Sequence, residues 1–268
     1  MSHAVFRNDL LAGKVAYVAG GTSGINLGIA LRFAELGARV AVVGRDPAKA
    51  SIAAKEIVSV GVDAIGLSAD VREYDAVERS LQETVTAFGG IDIVVSGAAG
   101  NFPAPAVSIS AKGFKTVIDI DLIGTYNVFR AAFDVVRKPG ASLIAISAPQ
   151  ALHPMTFQAH VCAAKAGINM LIQCLAMEWG PAGIRVNGIS PGPIAGTEGM
   201  ARLAPTQAAE KIIMERIATR RFGRRDEIGD AAVFLSSAAA SYVTGTILDC
   251  DGGSQLGDAG RDCLTKTR

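Results

Sequence analysis

The stretch KVAYVAGGTSGINLGIALRFAELG, residues 14–37, begins as an apolar run of strand length and ends with apolar residues at the three- and four-residue spacing of a helix. Between the two stand Gly20, Gly21 and Gly24, with Gly28 one turn into the helix. Glycines allow a tight turn and a close backbone approach, and the helix N-terminus that follows offers unpaired N–H groups and the positive end of a dipole. A strand, a glycine-rich turn and a helix in that order point to nucleotide binding. The alternative is a turn of purely structural purpose.

Working outward, short runs rich in Val, Ile and Ala alternate with helical segments, the pattern of βαβ units feeding a parallel sheet. The strands are expected at KVAYVAG (14–20), RVAVVG (39–44), DAIGLSAD (63–70), IDIVVSG (91–97), SLIAIS (142–147), IRVNGIS (184–190) and TILDCDG (246–252). Their nearly unbroken apolar character is that of strands covered by helices on both faces. The fold class is therefore α/β: a single doubly wound Rossmann domain with a seven-stranded parallel sheet, spanning 1–268, with flexible ends at about 1–10 and 257–268. A ligand belongs outside the carboxyl ends of the strands. The segment at about 191–222, which opens with PGPIAGTEGMARLAPTQ, leaves from that edge and is expected to be a mobile substrate lid. A long surface loop without a role is the other reading.

Composition narrows the function classes. The net charge is +1 with 26 basic and 25 acidic residues, scattered rather than striped, so nucleic acid is not an expected partner. Cys162, Cys174, Cys250 and Cys263 form no CxxC pair, which indicates neither a metal site nor a disulfide framework. The start, MSHAVFRNDLLAGK, lacks the basic-then-apolar order of a signal peptide, and the final TKTR is not a peroxisomal address. No uninterrupted apolar stretch approaches the roughly 18–20 residues that span a bilayer. A soluble, cytoplasmic protein without membrane attachment is expected.

The end of the second strand bears on the cofactor. An NAD-selecting protein usually presents an acidic residue there to the ribose hydroxyls, but this chain has Gly44 followed by Arg45. A guanidinium can pair in bidentate fashion with a 2′-phosphate, which favours NADP. Arg45 as a solvated surface residue, or one neutralised by Asp46, is the competing reading. Asp70, ending the third strand, is placed to meet the adenine edge or to cap a turn.

With these motifs in view, Lys14 to about Leu256 resembles the short-chain dehydrogenase/reductase family. The likeness rests on the strand, glycine loop and helix, AAG (98–100), Lys165 in AAKAG (163–167), RVNGISPGPI (185–194) and YVTGTILDCDGG (242–253). The resemblance implies a nicotinamide cofactor and a homotetramer built through the two long helices around 121–137 and 158–180. It also implies cofactor contacts from Gly20, Thr22, Ser23, Gly24 and Ile25 at the first turn. Val71, Ala98 and Lys165 would follow, then Pro191, Gly192, Ile194 and Thr197 beyond the sixth strand, with a capping or ST-turn role equally open to Thr197.

The departures from the family fall in its active site, which normally uses asparagine, serine, tyrosine and lysine. Only Lys165 survives. Val161 stands at the tyrosine position, Ala148 at the serine position and Asp121 at the asparagine position, while Asn26 replaces the last glycine of the loop. Ser147 adjoins the serine position, but a one-residue offset in a strand points it to the opposite face. A ketone reductase needs an acid for a developing alkoxide, and valine and alanine supply none. The peroxisomal type of 2,4-dienoyl-CoA reductase is similar in these same departures, and also in AAGNF (98–102), FKTVIDID (114–121), GTYNV (124–128), His160, AMEWGPAGIRVN (176–187) and PGPIAGTEG (191–199).

That resemblance implies NADPH-dependent reduction of a conjugated acyl-CoA, a 2,4-dienoyl-CoA to a 3-enoyl-CoA. Hydride adds at C5, charge spreads to the thioester oxygen, and no alkoxide forms. Lys165 is expected to stabilise that charge, and Asp121, paired with Lys165 through water, to position or deliver the proton. Asp119 and Asp121 lie about 200° apart on a helix, so at least one is expected to face solvent. His160 sits about 100° from Val161, and either lines the substrate mouth or is simply a partly buried side chain. Asn101 and Phe102 are expected to border the substrate pocket, with Phe102 alternatively serving only to pack. RRFGRR (220–225) either reaches CoA phosphates or is an exposed basic patch. Two other functions stay open: a family member acting on another carbonyl or enone with Asp121 or His160 as acid, and an inert NADP-binding scaffold.

Overall fold

The computed structural model describes residues 5–257. Each expected strand forms, with bounds within two residues of those expected: β1 Val15–Ala19, β2 Arg39–Gly44, β3 Ala64–Ser68, β4 Ile93–Ser96, β5 Ser142–Ile146, β6 Arg185–Pro191 and β7 Ile247–Cys250. They make one seven-stranded sheet in the order β3-β2-β1-β4-β5-β6-β7, every neighbouring pair parallel. The order reverses between β1 and β4, so the crevice expected for a ligand opens there.

Helices cover both faces: α1 Gly24–Glu35, α2 Pro47–Val58, α3 Tyr74–Phe88, α4 Ala111–Ile118, α5 Gly124–Val135, α6 Ala159–Trp179, α7 Glu198–Leu203, α8 Gln207–Arg216 and α9 Arg225–Ser236. The period-2 alternation of strand side chains divides the interior into two cores. Val15, Tyr17, Val94 and Leu143 pack with α3, α5 and α6. Ala16, Val18, Ile93 and Ile144 face the other way, onto α1, α2 and α9. Burial on both faces explains why the strands carry no polar alternation.

Three expectations are altered. The segment after β6 is largely helical, with α7 and α8 capped by the Thr197 and Thr206 hydroxyls. Of the expected flexible ends, 1–4 and 258–268, with Cys263, lie outside the described residues, whereas Phe6 and Leu10 pack against the core. Helix α6 with the turn after it, Ala159–Ala182, has a mean hydropathy of 1.2 and is long and apolar enough by composition to cross a bilayer. Its apolarity is that of a core helix, since Val161, Ala164, Ile168, Ile172 and Leu175 are buried against the sheet and its neighbours.

Candidate active site

The carboxyl ends of the strands border a cavity of about 1080 Å³. At its floor the first-strand loop runs hard against the end of β4. Gly20 has φ +76°, and a Cβ there would stand 2.7 Å from the Ala98 backbone nitrogen, so only glycine permits the approach. Gly24 opens α1, and Ser23 before it makes no side-chain cap. The first-turn N–H groups are thereby left for an anionic ligand. This cradle fits a dinucleotide pyrophosphate.

The structure gathers the remaining expected cofactor residues around the same cavity: Thr22, Ile25, Arg45, Asp70 and Val71 on one side, Ala98 and Lys165 at the centre, and Pro191, Gly192, Ile194 and Thr197 on the other. Asn101 joins them. At the outer end, Gly44 abuts Thr22, whose Cγ2 would lie 2.7 Å from an added Cβ. A side chain at the strand end is thus excluded unless Thr22 shifts, and Arg45, the next residue, borders the cavity. Asp46 does not neutralise Arg45; its carboxylate caps α2 by accepting from the Ala48 and Lys49 N–H groups at 2.9 and 3.2 Å. Asp70 accepts from the Arg72 backbone N–H at 3.0 Å and from the Arg72 guanidinium at 3.0 and 2.6 Å. The carboxylate thus caps its turn and also borders the cavity. The Arg72 guanidinium holds its carboxyl below the usual range.

At the reactive end, α6 aims Lys165 at the cavity, and its Nζ donates to the Ile146 carbonyl at 2.9 Å. Asp121 sits in a wide helical turn, Asp119–Ile123, between α4 and α5. Its Oδ1 accepts from the Gly100 N–H at 2.7 Å, and its Oδ2 lies 3.3 Å from Lys165 Nζ. The Lys165 side chain is 8% exposed and that of Asp121 1%. The expected link through water is instead a direct ion pair. It is close without being aligned as a hydrogen bond, so Asp121 Oδ2 has no hydrogen-bond partner. Asp119 turns outward as its angular offset requires and pairs with Lys115 at 2.6 Å.

The positions emptied of their usual hydroxyls are occupied by apolar packing. Val161 is buried with Val117 and Ala164, while Ala148 borders the cavity. The Ser147 hydroxyl donates to Asn169 Oδ1 on α6 at 2.5 Å. No serine or tyrosine hydroxyl therefore stands beside Lys165 at the family positions.

His160 and Phe102 are placed otherwise than at the substrate mouth. The imidazole is fully buried, with Phe102 edge-on at 4.4 Å and Phe114 at 6.5 Å between ring centroids. Neither ring nitrogen has a hydrogen-bond partner, and neither His160 nor Phe102 borders the cavity. Phe102 covers the histidine, which is its packing alternative. The basic run is largely engaged within the protein. Arg221 holds Glu227 at 2.6 Å and Arg224 holds Asp226 at 3.0 Å, and Arg225 donates to the Gly196 carbonyl. Arg221 leads in pulling the Glu227 carboxyl down to about 2. Sequence reasoning missed Met155, Met200, Leu203 and Ile213, which give the cavity an apolar wall. The signal for two of them was the helical spacing of Met200 and Leu203, hidden by the Pro and Gly punctuation around it.

The family model described as Enoyl-(Acyl carrier protein) reductase matches residues 19–255. The peroxisomal 2,4-dienoyl-CoA reductase [(3E)-enoyl-CoA-producing] of Saccharomyces cerevisiae is 42% identical over 252 residues, covering 92% of this chain and 86% of its own. The Rattus norvegicus protein of the same description is 41% identical over 256 residues, covering 95% and 88%. Among solved structures, a putative short-chain alcohol dehydrogenase from Sinorhizobium meliloti 1021 superposes with a TM-score of 0.86 at 30% identity, over 94% of this chain and 100% of that one.

Proposed function

The chain belongs to the short-chain dehydrogenase/reductase family, and on that premise we propose that it is an NADPH-dependent reductase that takes a 2,4-dienoyl-CoA to a 3-enoyl-CoA. The observation that carries this reading is the buried Lys165–Asp121 pair at a cavity whose tyrosine and serine positions hold Val161 and Ala148. Such a site lacks the hydroxyl acid that a ketone reductase uses on its alkoxide, yet retains a cation for stabilising delocalised negative charge.

The glycine cradle, Arg45 and Thr197 hold the dinucleotide, which when bound supplies a hydride to C5 of the conjugated thioester. The C4–C5 double-bond electrons move to C3–C4, those of C2–C3 move to C1–C2, and the charge rests on the thioester oxygen. An ammonium has three donors; Lys165 uses one on the Ile146 carbonyl and pairs with Asp121 through charge alone, so donors remain for the cavity. In a site of low dielectric that charge stabilises the oxyanion far more than it would in water. Asp121 fixes the ammonium and, with Gly100 holding its Oδ1, presents Oδ2 to a water whose proton passes to Cα. The product is the 3-enoyl thioester. The apolar lid wall of Met200, Leu203 and Ile213 suits the acyl chain. The test is joint loss of dienoyl and NADPH absorbance, with solvent deuterium appearing at Cα of the product.

Arg45 carries the preference for NADP in this account. Arg45→Asp removes a charge-assisted contact with the 2′-phosphate, of about 1.5–3 kcal/mol, and introduces repulsion. The ratio of kcat/KM for NADPH over NADH is expected to fall by roughly a hundredfold; an unchanged ratio assigns selectivity elsewhere. Exposed Tyr126 on α5 and Met170 and Met177 on α6 support a homotetramer assembled through those helices, which light scattering distinguishes from a monomer.

A further inference from the structure

The glycine loop ends not in glycine but in Asn26, at the switch point between β1 and β4. Its Nδ2 donates to the Gly97 carbonyl at 2.8 Å and reaches the Gly20 carbonyl at 3.3 Å. Both neighbours are acceptors, so the amide cannot be turned over without setting oxygen against oxygen, and Oδ1 must point away from them. That oxygen is buried and has no partner, on a residue that borders the cavity. An unmet buried acceptor costs on the order of 1–3 kcal/mol.

Gly97 is fitted to this side chain. A Cβ on Gly97 would stand 2.2 Å from Asn26 Oδ1 and 2.5 Å from its Cγ and Nδ2, and these are its three nearest atoms. The amide lies flat against the Gly97 Cα, so the two residues form one unit that ties the cradle to the end of β4.

We propose that Asn26 is a cofactor-positioning residue whose Oδ1 accepts a hydrogen bond from a hydroxyl of the bound nicotinamide dinucleotide on its nicotinamide side. The ligand must supply a donor, which the pyrophosphate lacks and the ribose hydroxyls have. The adenosine half is excluded by position: Arg45 and Asp70 follow β2 and β3, on one side of β1, whereas Asn26 is bonded to Gly97 just past β4, and Lys165 to Ile146 at the end of β5, on the other side. The inference needs only the nicotinamide-dinucleotide reading of the cavity, not the dienoyl-CoA one.

The test is equilibrium binding by the intact protein of NADPH and, separately, of adenosine 2′,5′-bisphosphate, the half-cofactor without nicotinamide ribose. Asn26→Gly restores the residue type usual in the family. It is expected to raise the Kd for NADPH about tenfold while leaving the half-cofactor within about twofold. Gly97→Ala alone should weaken NADPH at least as much, and in the Asn26→Gly background should add no more than about twofold, because the atoms it strikes are gone. Equal weakening of both ligands by Asn26→Gly, or no weakening, overturns the proposal. So does a Gly97→Ala penalty that persists without Asn26. Wild-type protein that bound neither NADPH nor NADH would overturn the cofactor reading along with it.

Discussion

Lys165→Met is expected to lower kcat by roughly a thousandfold or more and to lower the apparent Tm by about 10 °C. Both effects have one origin. In the proposed mechanism the Lys165 ammonium is the charge that α6 brings to the developing oxyanion, and methionine offers no donor in its place. The Asp121 carboxylate, 1% exposed, is meanwhile left buried without its counter-ion, a loss of about 3–5 kcal/mol. The two effects separate in the double variant Lys165→Met with Asp121→Asn, which removes both charges. Stability should largely return while turnover does not. Turnover near the wild-type level in Lys165→Met would remove the lysine from the chemistry.

Asp121→Asn alone is expected to reduce kcat by about a hundredfold with little change in the Kd for NADPH. An asparagine Oδ1 still accepts from the Gly100 N–H, now 2.7 Å from the aspartate, so the loop after β4 keeps its anchor. What is lost is the negative charge beside Lys165 Nζ and the acceptor that presents water. Asp121→Ala should do worse than Asp121→Asn in thermal stability, because it also orphans the Gly100 N–H. Full activity in Asp121→Asn would reduce the aspartate to a structural role.

The sheet was legible because each strand is a bounded apolar run and each intervening segment has helical spacing. The cradle was legible because Gly20 and Gly24 follow a strand and open a helix. The helices after β6 were less so: α7 has six residues, and Pro193, Gly196, Gly199 and Pro205 read as breakers. Their Thr197 and Thr206 caps are local signals that the punctuation concealed. Contacts made only by the tertiary fold were not legible. Asp121 and Lys165 come from different helices, so nothing in their spacing distinguishes a direct pair from one bridged by water. The burial of His160 depends on Phe102, a residue from the loop after β4. Charge pairing within RRFGRR depends on where Asp226 and Glu227 fall once α9 forms.

The central claim, that loss of the tyrosine and serine marks a change of reaction rather than loss of one, has a direct measurement. Purified protein is mixed with NADPH and a short 2,4-dienoyl-CoA in deuterated buffer, and both chromophores are followed together. The account predicts loss of dienoyl and NADPH absorbance in equal molar amounts, with a 3-enoyl-CoA carrying deuterium at Cα. Tight NADPH binding with no turnover at high enzyme concentration would contradict it and leave the protein a cofactor-binding scaffold.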